Sequence, residues 1–236
     1  MRHMALALFV VVLGQRLGAQ SPSKLDDPIK GGFFITDLGR LSPCALGAVI
    51  PQVARQGGVP AGFESTPDCW LSPRFDPFDP EVNGQALAGR SAREAFDHLM
   101  TLMPMYSWKE MDGVVVVRPK GSWDDPADVL NLPTKRFNAM NQRIDDVLHT
   151  LLARVVPVAF YPHEDVPQAG RPIDRLVSVE FPGGSMLDAL NAVVRAGGEL
   201  EWQLGYTGGL ATIAMNTFDW RGGSVMAPVA LPQTRR

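Results

Sequence analysis

The chain contains two cysteines, Cys44 and Cys69, whose thiols could form a disulfide bond. Cys44 lies at the start of a predicted helix, and the strand after that helix runs back toward the same end, where Cys69 follows Glu64 by five residues. Bridging them would close a loop of about 25 residues, which chain-entropy arguments value at about 3 kcal/mol. Two buried free thiols are the alternative. A catalytic or metal-binding pair is disfavoured, because the spacing is not C-x-x-C and no histidine accompanies it.

The remaining reactive side chains form no known catalytic or metal-binding motif. His98 and His149 fall on predicted helices but off their apolar stripes, which favours solvent-facing positions. His163 precedes two acidic residues in a predicted loop, yet a metalloprotease needs two histidines one helical turn apart with a glutamate between them. The acidic cluster at residues 76–81 lacks the glycine and the ligand spacing of a calcium loop. We therefore predict no catalytic residue, no metal site and no cofactor.

Two stretches, residues 87–118 and 181–215, each predict a helix followed by a hairpin, and they align with an offset of 94 residues. In each stretch a serine and the acidic residue three positions later form a capping box, which marks a helix start. In the first stretch, Asp112-Gly113 is a favoured hairpin dipeptide. The aligned pairs are Gly89 with Gly183, Ser91 with Ser185, Glu94 with Asp188, Ala95 with Ala189, Phe96 with Leu190, Leu99 with Val193 and Trp108 with Trp202.

Upstream of each stretch, apolar residues recur at helical spacing and lead into a Val-Pro-x-x-Phe segment. The segments, residues 59–63 and 156–160, are interpreted as strands whose proline suits a sheet edge. Pro51 lies inside the first helix and is expected to kink or break it. The helical residues are Leu46, Val49, Ile50, Val53 and Ala54 in the first copy and Ile144, Val147, Leu148, Leu151 and Leu152 in the second.

The predicted fold class is α+β, with two tandem copies of a small βαβ-βαββ domain in which a sheet packs on two helices. We define the first unit as residues 33–119 and the second unit as residues 133–216. Each unit is large enough to bury a modest core, so we expect each to fold alone. A single sheet running through both units would contradict that expectation.

The order of these elements, with their residues, resembles the secretin and TonB N-terminal short domain. The first unit carries the resemblance in ALGAVIPQVARQGGVPAGFES and LAGRSAREAFDHLMTLMPMYSWKEMDGVVVVRP, and the second in RIDDVLHTLLARVVPVAFYP and VSVEFPGGSMLDALNAVVRAGGELEWQLG. The chain departs from the family in a Pro- and Asp-rich insertion at residues 67–81 and in having no outer-membrane barrel after either unit. The resemblance implies a periplasmic or cell-envelope module that passes contacts between envelope proteins and catalyses nothing.

The N-terminus has the layout of a cleaved secretory signal. Arg2 and His3 precede an apolar run at residues 4–13, and small residues stand just before Gln20. We predict a signal peptide at residues 1–19, linkers at 20–32 and 120–132, and a flexible tail at 217–236. The apolar run is too short to span a bilayer, so we expect no stable membrane span after cleavage and a periplasmic or secreted protein.

The charge balance argues against a nucleic-acid partner. Removal of residues 1–19 takes away Arg2 and Arg16 and no acidic residue, so 22 basic residues less these two stand against 25 acidic ones. A nucleic-acid-binding protein of this size typically carries a basic excess that neutralises phosphates. This balance disfavours that function class.

These observations predict an exported, non-catalytic protein–protein interaction module whose partner is an envelope protein. An exposed strand edge is the expected contact, because its unpaired N–H and C=O groups can accept a partner strand. The candidate contact residues are Val59, Ala61, Phe63, Val156, Val158 and Phe160.

Two alternative functions remain open from the sequence. One is a small periplasmic hydrolase with a site between the units, which would need a paired nucleophile and base. The other is a cell-wall glycan-binding adaptor that stacks sugars on Trp70, Trp123 and Trp220, the tryptophans outside the regular elements of the two units.

We predict that the mature protein, purified without reductant, contains the Cys44–Cys69 disulfide, because exported chains meet an oxidising compartment. Thiol titration after unfolding should detect no free thiol, whereas a sample reduced beforehand should titrate both cysteines. Two reactive thiols in the untreated sample would contradict the bond and remove independent support for export.

Overall fold

In the computed structural model, the described residues are 24–29, 46–66, 89–155, 175–207, 210–218 and 224–229. They contain four α-helices and a mixed sheet, consistent with the predicted α+β class. The helices are α1 Leu46–Gly57, α2 Ala92–Leu102, α3 Ile144–Val155 and α4 Met186–Gly197. The strands are β1 Ala61–Glu64, β2 Tyr106–Met111, β3 Val114–Pro119, β4 Pro133–Thr134, β5 Phe137–Arg143, β6 Leu176–Phe181, β7 Gly184–Ser185, β8 Leu200–Thr207, β9 Leu210–Thr217 and β10 Ser224–Val229.

Both predicted capping boxes are confirmed. Ser91 Oγ accepts the Glu94 N–H at 3.2 Å, and Glu94 Oε2 accepts the Ser91 N–H at 2.8 Å. Ser185 and Asp188 make the same two bonds at 3.1 and 2.9 Å. Each pair satisfies backbone donors that a helix start would otherwise leave without a partner, which is why α2 and α4 begin directly after these serines.

α1 continues through Pro51 to Gly57, so the helix is not broken there. Proline has no N–H, and the carbonyl four residues earlier, that of Gly47, therefore lacks its usual helical donor. Leu46, Ile50 and Val53 are fully buried. Burial of this apolar face stabilises the helix by more than the loss of one backbone hydrogen bond costs.

The two aligned tryptophans make equivalent contacts. Trp108 Nε1 donates to Asp97 Oδ1 on α2, and Trp202 Nε1 donates to Asn191 Oδ1 on α4, both at 2.9 Å. The acceptors are themselves 94 positions apart, the same offset as the tryptophans. Each indole therefore fastens a hairpin to the helix that precedes it.

The main sheet has six strands in the order β10-β9-β8-β1-β3-β2 among the described residues. β1 pairs in parallel with β3 of the first unit and with β8 of the second unit, and the hairpin pairings are antiparallel. The expectation that each unit carries its own sheet is therefore wrong. Because β1 needs β8 on one side and β3 on the other, the units are not structurally independent.

Helices cover both faces of this sheet. Phe63, Val115 and Val117 pack into a core with α1 and α2. Val114, Val116 and Trp202 face the opposite way and join the core that α3 and α4 complete. Adjacent residues of one strand point to opposite faces, so the run of valines in β3 serves both cores at once.

Trp202 lies directly against the backbone of Gly62, its register partner across the β1–β8 pairing. A Cβ at position 62 would overlap the six-membered part of the indole ring. Any other residue at this position would therefore push β8 away from β1. The glycine is required here for close approach and not for an unusual backbone angle.

The two predicted linkers and the predicted flexible tail each contain ordered structure. Within the linker at 20–32, Leu25 and Ile29 are buried against α2, and the Ile29 N–H donates to the Arg90 carbonyl at 2.9 Å. The linker at 120–132, which we call the connector, buries Val129 and Leu130 in the α3–α4 core. Residues 224–229 of the predicted tail form β10, which pairs with β9.

Two short ribbons extend the α3–α4 side of the molecule. β4 pairs with β7, and β5 pairs with β6, both antiparallel. The β5–β6 register shifts between Ala139 and Gln142. A bulge of this kind bends the strand and interrupts its edge.

We expect Gly62→Ala to lower the free energy of unfolding by about 2–3 kcal/mol, because the added methyl group forces strands apart in a packed core. Chemical denaturation of the whole chain measures this. Trp202→Phe should partly rescue Gly62→Ala, so that the double variant loses less stability than the two single losses summed.

Gly121→Ala is the matched control, because a Cβ at position 121 meets no atom within 4 Å. Its expected effect is within about 0.5 kcal/mol. Equal stability of Gly62→Ala and Gly121→Ala would contradict the close contact between β1 and Trp202.

Candidate functional site

The residues predicted to bind a partner in the first unit do not lie at a sheet edge. Val59, Ala61 and Phe63 are buried, and β1 is paired on both sides. Pro60 precedes the strand, and its carbonyl accepts the Val115 N–H at 2.9 Å, so this proline starts an inner strand and does not mark an edge. Strand addition at this site would require displacement of β3 or β8.

The other predicted site residues lie outside the described part of the chain. They are Val156, Val158 and Phe160, which were candidate contact residues, and Cys44 and Cys69, the expected disulfide pair. His163 and the acidic residues 76–81 also lie outside it. Their predictions stay untested.

The outermost strands of the six-stranded sheet are β2 and β10. β10 contains Pro228, which has no N–H to offer to a further strand. β2 contains no proline, and among the described strands it pairs with β3 alone. β2 is therefore the more suitable edge for a further strand.

The tight turn after β2 determines which backbone groups face outward. Asp112 and Gly113 have φ of 51° and 81°, the conformation of a two-residue hairpin whose flanking residues, Met111 and Val114, are hydrogen-bonded to each other. Hydrogen-bonded pairs then alternate along β2, and the Lys120 N–H donating to the Met105 carbonyl at 2.9 Å fits this alternation. The N–H and C=O of Trp108 consequently point away from β3, toward the open side.

On the α2 side of the sheet, acidic groups and one arginine flank β2. The Trp108 ring lies 5.7 Å from the Phe96 ring, which holds the strand against α2. Arg93 reaches Asp26 at 2.7 Å and Glu110 at 3.6 Å, and its guanidinium lies over the Trp108 ring. This face therefore carries two carboxylates around one cation, in addition to Asp97.

On the opposite side, the connector places Trp123 beside β2. Trp123 Nε1 donates to Ser107 Oγ at 2.8 Å, and the Lys109 ammonium lies 4.1 Å from the centre of the Trp123 ring. The Arg118 guanidinium lies 5.2 Å from the same ring. Trp123 is thus engaged by three groups of the protein itself, and Lys109 is the outermost charge of this stack.

Arg118, fully buried at the end of β3, anchors a polar cluster beneath the connector. Its guanidinium donates to Glu64 at 2.6 Å, Asp128 at 2.7 Å and Asn131 at 2.9 Å. Asn131 in turn donates to the Ser122 and Asp125 carbonyls. We call Glu64, Arg118, Ser122, Asp128 and Asn131 the Arg118 cluster. It ties β1, β3 and the connector together.

The Arg118 cluster contains one cation and two carboxylates, so it holds a surplus negative charge when both acids are ionised. Burial raises the pKa of Glu64 from 4.5 to about 7; Arg118 opposes that rise and the nearby Asp128 carboxylate adds to it. Burial, followed by the charge of Glu64, raises the pKa of the Tyr206 hydroxyl, which lies 3.4 Å from the Glu64 carboxyl. Glu64 therefore takes up a proton near neutral pH.

Ser122 and Glu64 place a hydroxyl group beside a buried carboxyl group, the pair of groups that a nucleophile and its base would need. Ser122 Oγ donates to Glu64 Oε1 at 2.9 Å. The same carboxyl is bound by Arg118, and the Ser122 carbonyl is held by Asn131. These bonds fix both groups within the fold, which is the arrangement of a structural hydrogen-bond network.

A second buried ion pair joins the units on the other face of the sheet. Arg55 on α1 donates to Glu201 Oε1 on β8 at 2.9 Å. Burial raises the pKa of Glu201, and the interaction with Arg55 opposes the rise. Within the described residues, Glu201 Oε2 and Arg55 Nε have no hydrogen-bond partner.

Neither ion pair belongs to a motif that can be recognised in the sequence. One feature of the sequence could have indicated a buried ion pair: a charged residue at the end of an otherwise apolar strand. Arg118 is such a residue, because four valines precede it. A charge in such a position must be paired when the strand is buried. The partners could not be named, because they come from distant segments.

The histidines and acidic residues of the described ranges do not form a metal site. His98 and His149 lie on α2 and α3 as predicted. In the same ranges, no three His, Cys, Asp or Glu side chains cluster so as to hold a metal ion. No described helix is long and apolar enough to cross a membrane.

Comparison with known proteins finds no matching family model, no matching curated protein and no matching solved structure. The resemblance to the secretin and TonB short domain therefore stays a prediction that rests on the quoted residues.

We expect Glu64 to make stability depend on pH with a defined sign. Its pKa is raised in the folded state, so the folded protein holds the extra proton and is stabilised most below pH 4.5, the ordinary value. That stabilisation is lost as the pH rises through about 7, by on the order of 3 kcal/mol in total. Denaturation curves of wild type and Glu64→Gln across this window measure the difference.

Glu64→Gln should flatten this fall in stability, because glutamine cannot ionise. The exposed Glu180→Gln is the control and should retain the wild-type slope. Identical slopes for wild type and Glu64→Gln would show that Glu64 does not bind the proton.

Proposed function

We propose that this protein is an exported, non-catalytic protein–protein interaction module of the bacterial cell envelope, which binds its partner by adding a strand to the edge of β2. The proposal combines the expected signal peptide and the resemblance to secretin and TonB short domains with one structural observation. That observation is the outward-facing backbone of Trp108 on a strand that pairs with β3 alone among the described strands.

Rigidity of β2 supports this role. The strand is held by β3 along its whole length, by the Trp108–Asp97 bond on one side and by the Trp123–Ser107 bond on the other. A partner strand would meet a fixed edge, so little conformational entropy would be lost by the protein itself on binding.

We further propose that α2 with its hairpin and α4 with its hairpin are two copies of one ancestral element. The shared offset of 94 in the capping boxes and in the tryptophan bonds supports the duplication. The copies would have fused into one sheet in which β8 takes the outer side of β1.

A hydrolase is the second candidate, favoured by the Ser122–Glu64 hydrogen bond. It is less well supported, because Arg118 already binds the Glu64 carboxyl that would have to act as the base, and Asn131 fixes the Ser122 backbone carbonyl. The glycan-binding alternative has weaker support: Trp123 is occupied by Ser107, Lys109 and Arg118, and Trp70 and Trp220 lie outside the described residues.

We expect Glu110→Pro to reduce partner binding by roughly tenfold, because the outward side of β2 would lose an N–H donor while the bonds to β3 remain. The measurement is photo-crosslinking in cell envelopes, with a photoreactive amino acid in place of Met105, which is exposed next to β2. The yield of each cross-linked adduct is compared between variants.

Glu110→Ala is the matched control, since it removes the side chain and its ion pair with Arg93 but keeps the backbone N–H. It should retain most of the adduct. Equal adduct yields for the proline and alanine variants, with both folded by circular dichroism, would rule out strand addition at β2.

A further inference from the structure

The charges beside β2 differ between the two faces of the sheet, and this difference restricts what a bound strand can carry. On the Trp123 side, Lys109 is exposed and makes no salt bridge within the described residues. The charge of Arg118 behind Trp123 is already balanced by Glu64 and Asp128. Lys109 therefore presents an uncompensated ammonium group next to the open edge.

On the α2 side, acidic side chains flank the strand. Glu110 and Asp26 both lie within ion-pair distance of Arg93, and Asp97 accepts the Trp108 indole N–H. A basic side chain placed opposite Glu110 would form an opposite-charge cross-strand pair, which is favourable.

Along β2, residues whose backbone groups bond to β3 alternate with residues whose backbone groups point outward. This alternation determines how a residue of an added antiparallel strand meets Lys109. The Lys109 backbone is turned toward β3, so the residue opposite Lys109 would form a non-hydrogen-bonded pair with it. Such pairs bring the two side chains closest, with Cα atoms about 4.5 Å apart. The residues opposite Trp108 and Glu110 would lie on the α2 face.

We propose that the strand accepted by β2 belongs to a partner segment with alternating charge, which places a carboxylate opposite Lys109 and a basic side chain opposite Glu110. This inference rests on the proposed function and adds the chemistry of the partner to it. The carboxylate would form an opposite-charge cross-strand pair with Lys109, whose ammonium group lies over the Trp123 ring, and the basic side chain would form such a pair with Glu110.

Self-association through two β2 edges fits the charges less well. In an antiparallel pairing of two copies, residues with outward backbone must pair with each other, and the allowed registers that overlap most of both strands are those centred on Trp108 and on Lys109. The second of these sets two Lys109 ammonium groups directly opposite each other, which is destabilising. The register centred on Trp108 places Lys109 opposite Ser107 of the other copy, so Lys109 would not meet a carboxylate.

The test uses two synthetic extended peptides as probes. They differ only at one central position, which is glutamate in one peptide and lysine in the other. Both peptides carry lysines at the alternate positions, which face the other side of the strand. Binding to the full-length mature protein is measured by fluorescence anisotropy at low salt. The glutamate peptide should bind roughly fivefold more tightly to wild type. Lys109→Gln should abolish the preference, and Lys109→Glu should invert it.

Lys120→Glu is the matched control, because it makes the same charge change on an exposed residue of the connector and should leave the preference unchanged. If the peptides bind and Glu110→Pro blocks them, but Lys109→Glu does not alter the preference, this inference is wrong while the proposed function stands. If no peptide binds, or if Glu110→Pro has no effect on binding, the proposed function itself fails. Dimerisation of the protein alone, detected by sedimentation and removed by Glu110→Pro, would assign the edge to a second copy and overturn the inference.

Discussion

The contact between Trp202 and Gly62 is the constraint on which the architecture depends. It allows β8 to lie in register beside β1, and this pairing makes one sheet out of strands from both units. The indole is itself fixed by Asn191 on α4, so the helix above one face of the sheet is connected through a single side chain to the central strand. Without a glycine at this point, the two helix–hairpin elements could not share a sheet in this register.

Two ionic contacts hold the strands around β1 from opposite faces of the sheet. Arg55 and Glu201 join α1 to β8 on one face, and the Arg118 cluster joins β1 and β3 to the connector on the other. Removing one partner of a buried pair leaves a charge in an apolar environment, which costs several kcal/mol. These contacts therefore favour the observed strand order around β1, because an alternative neighbour for β1 would leave buried charges unpaired.

Local features of this fold could be predicted from the sequence, and its long-range pairings could not. Ser91 with Glu94 and Asp112 with Gly113 act within a few residues, so their signals are complete in a short stretch. The position of β1 depends on β8, and a valine-proline pattern suits the start of an inner strand as well as an edge. Arg118 showed that a buried charge was present, but Glu64 and Asp128 were recognisable as its partners only once β1 and the connector had been placed.

The pairing of β1 with β8 has a consequence for the order in which the chain can fold. Ala61 and Glu201 are register partners although 140 positions separate them. Contacts of such separation slow folding, because a long loop must close before the pairing stabilises anything. A chain that is synthesised or translocated from its N-terminus keeps one side of β1 without its native neighbour until β8 has emerged. Completion of the central strand is therefore a late event, and if the chain is exported as proposed, such a delay would leave this sheet incomplete during passage through a membrane.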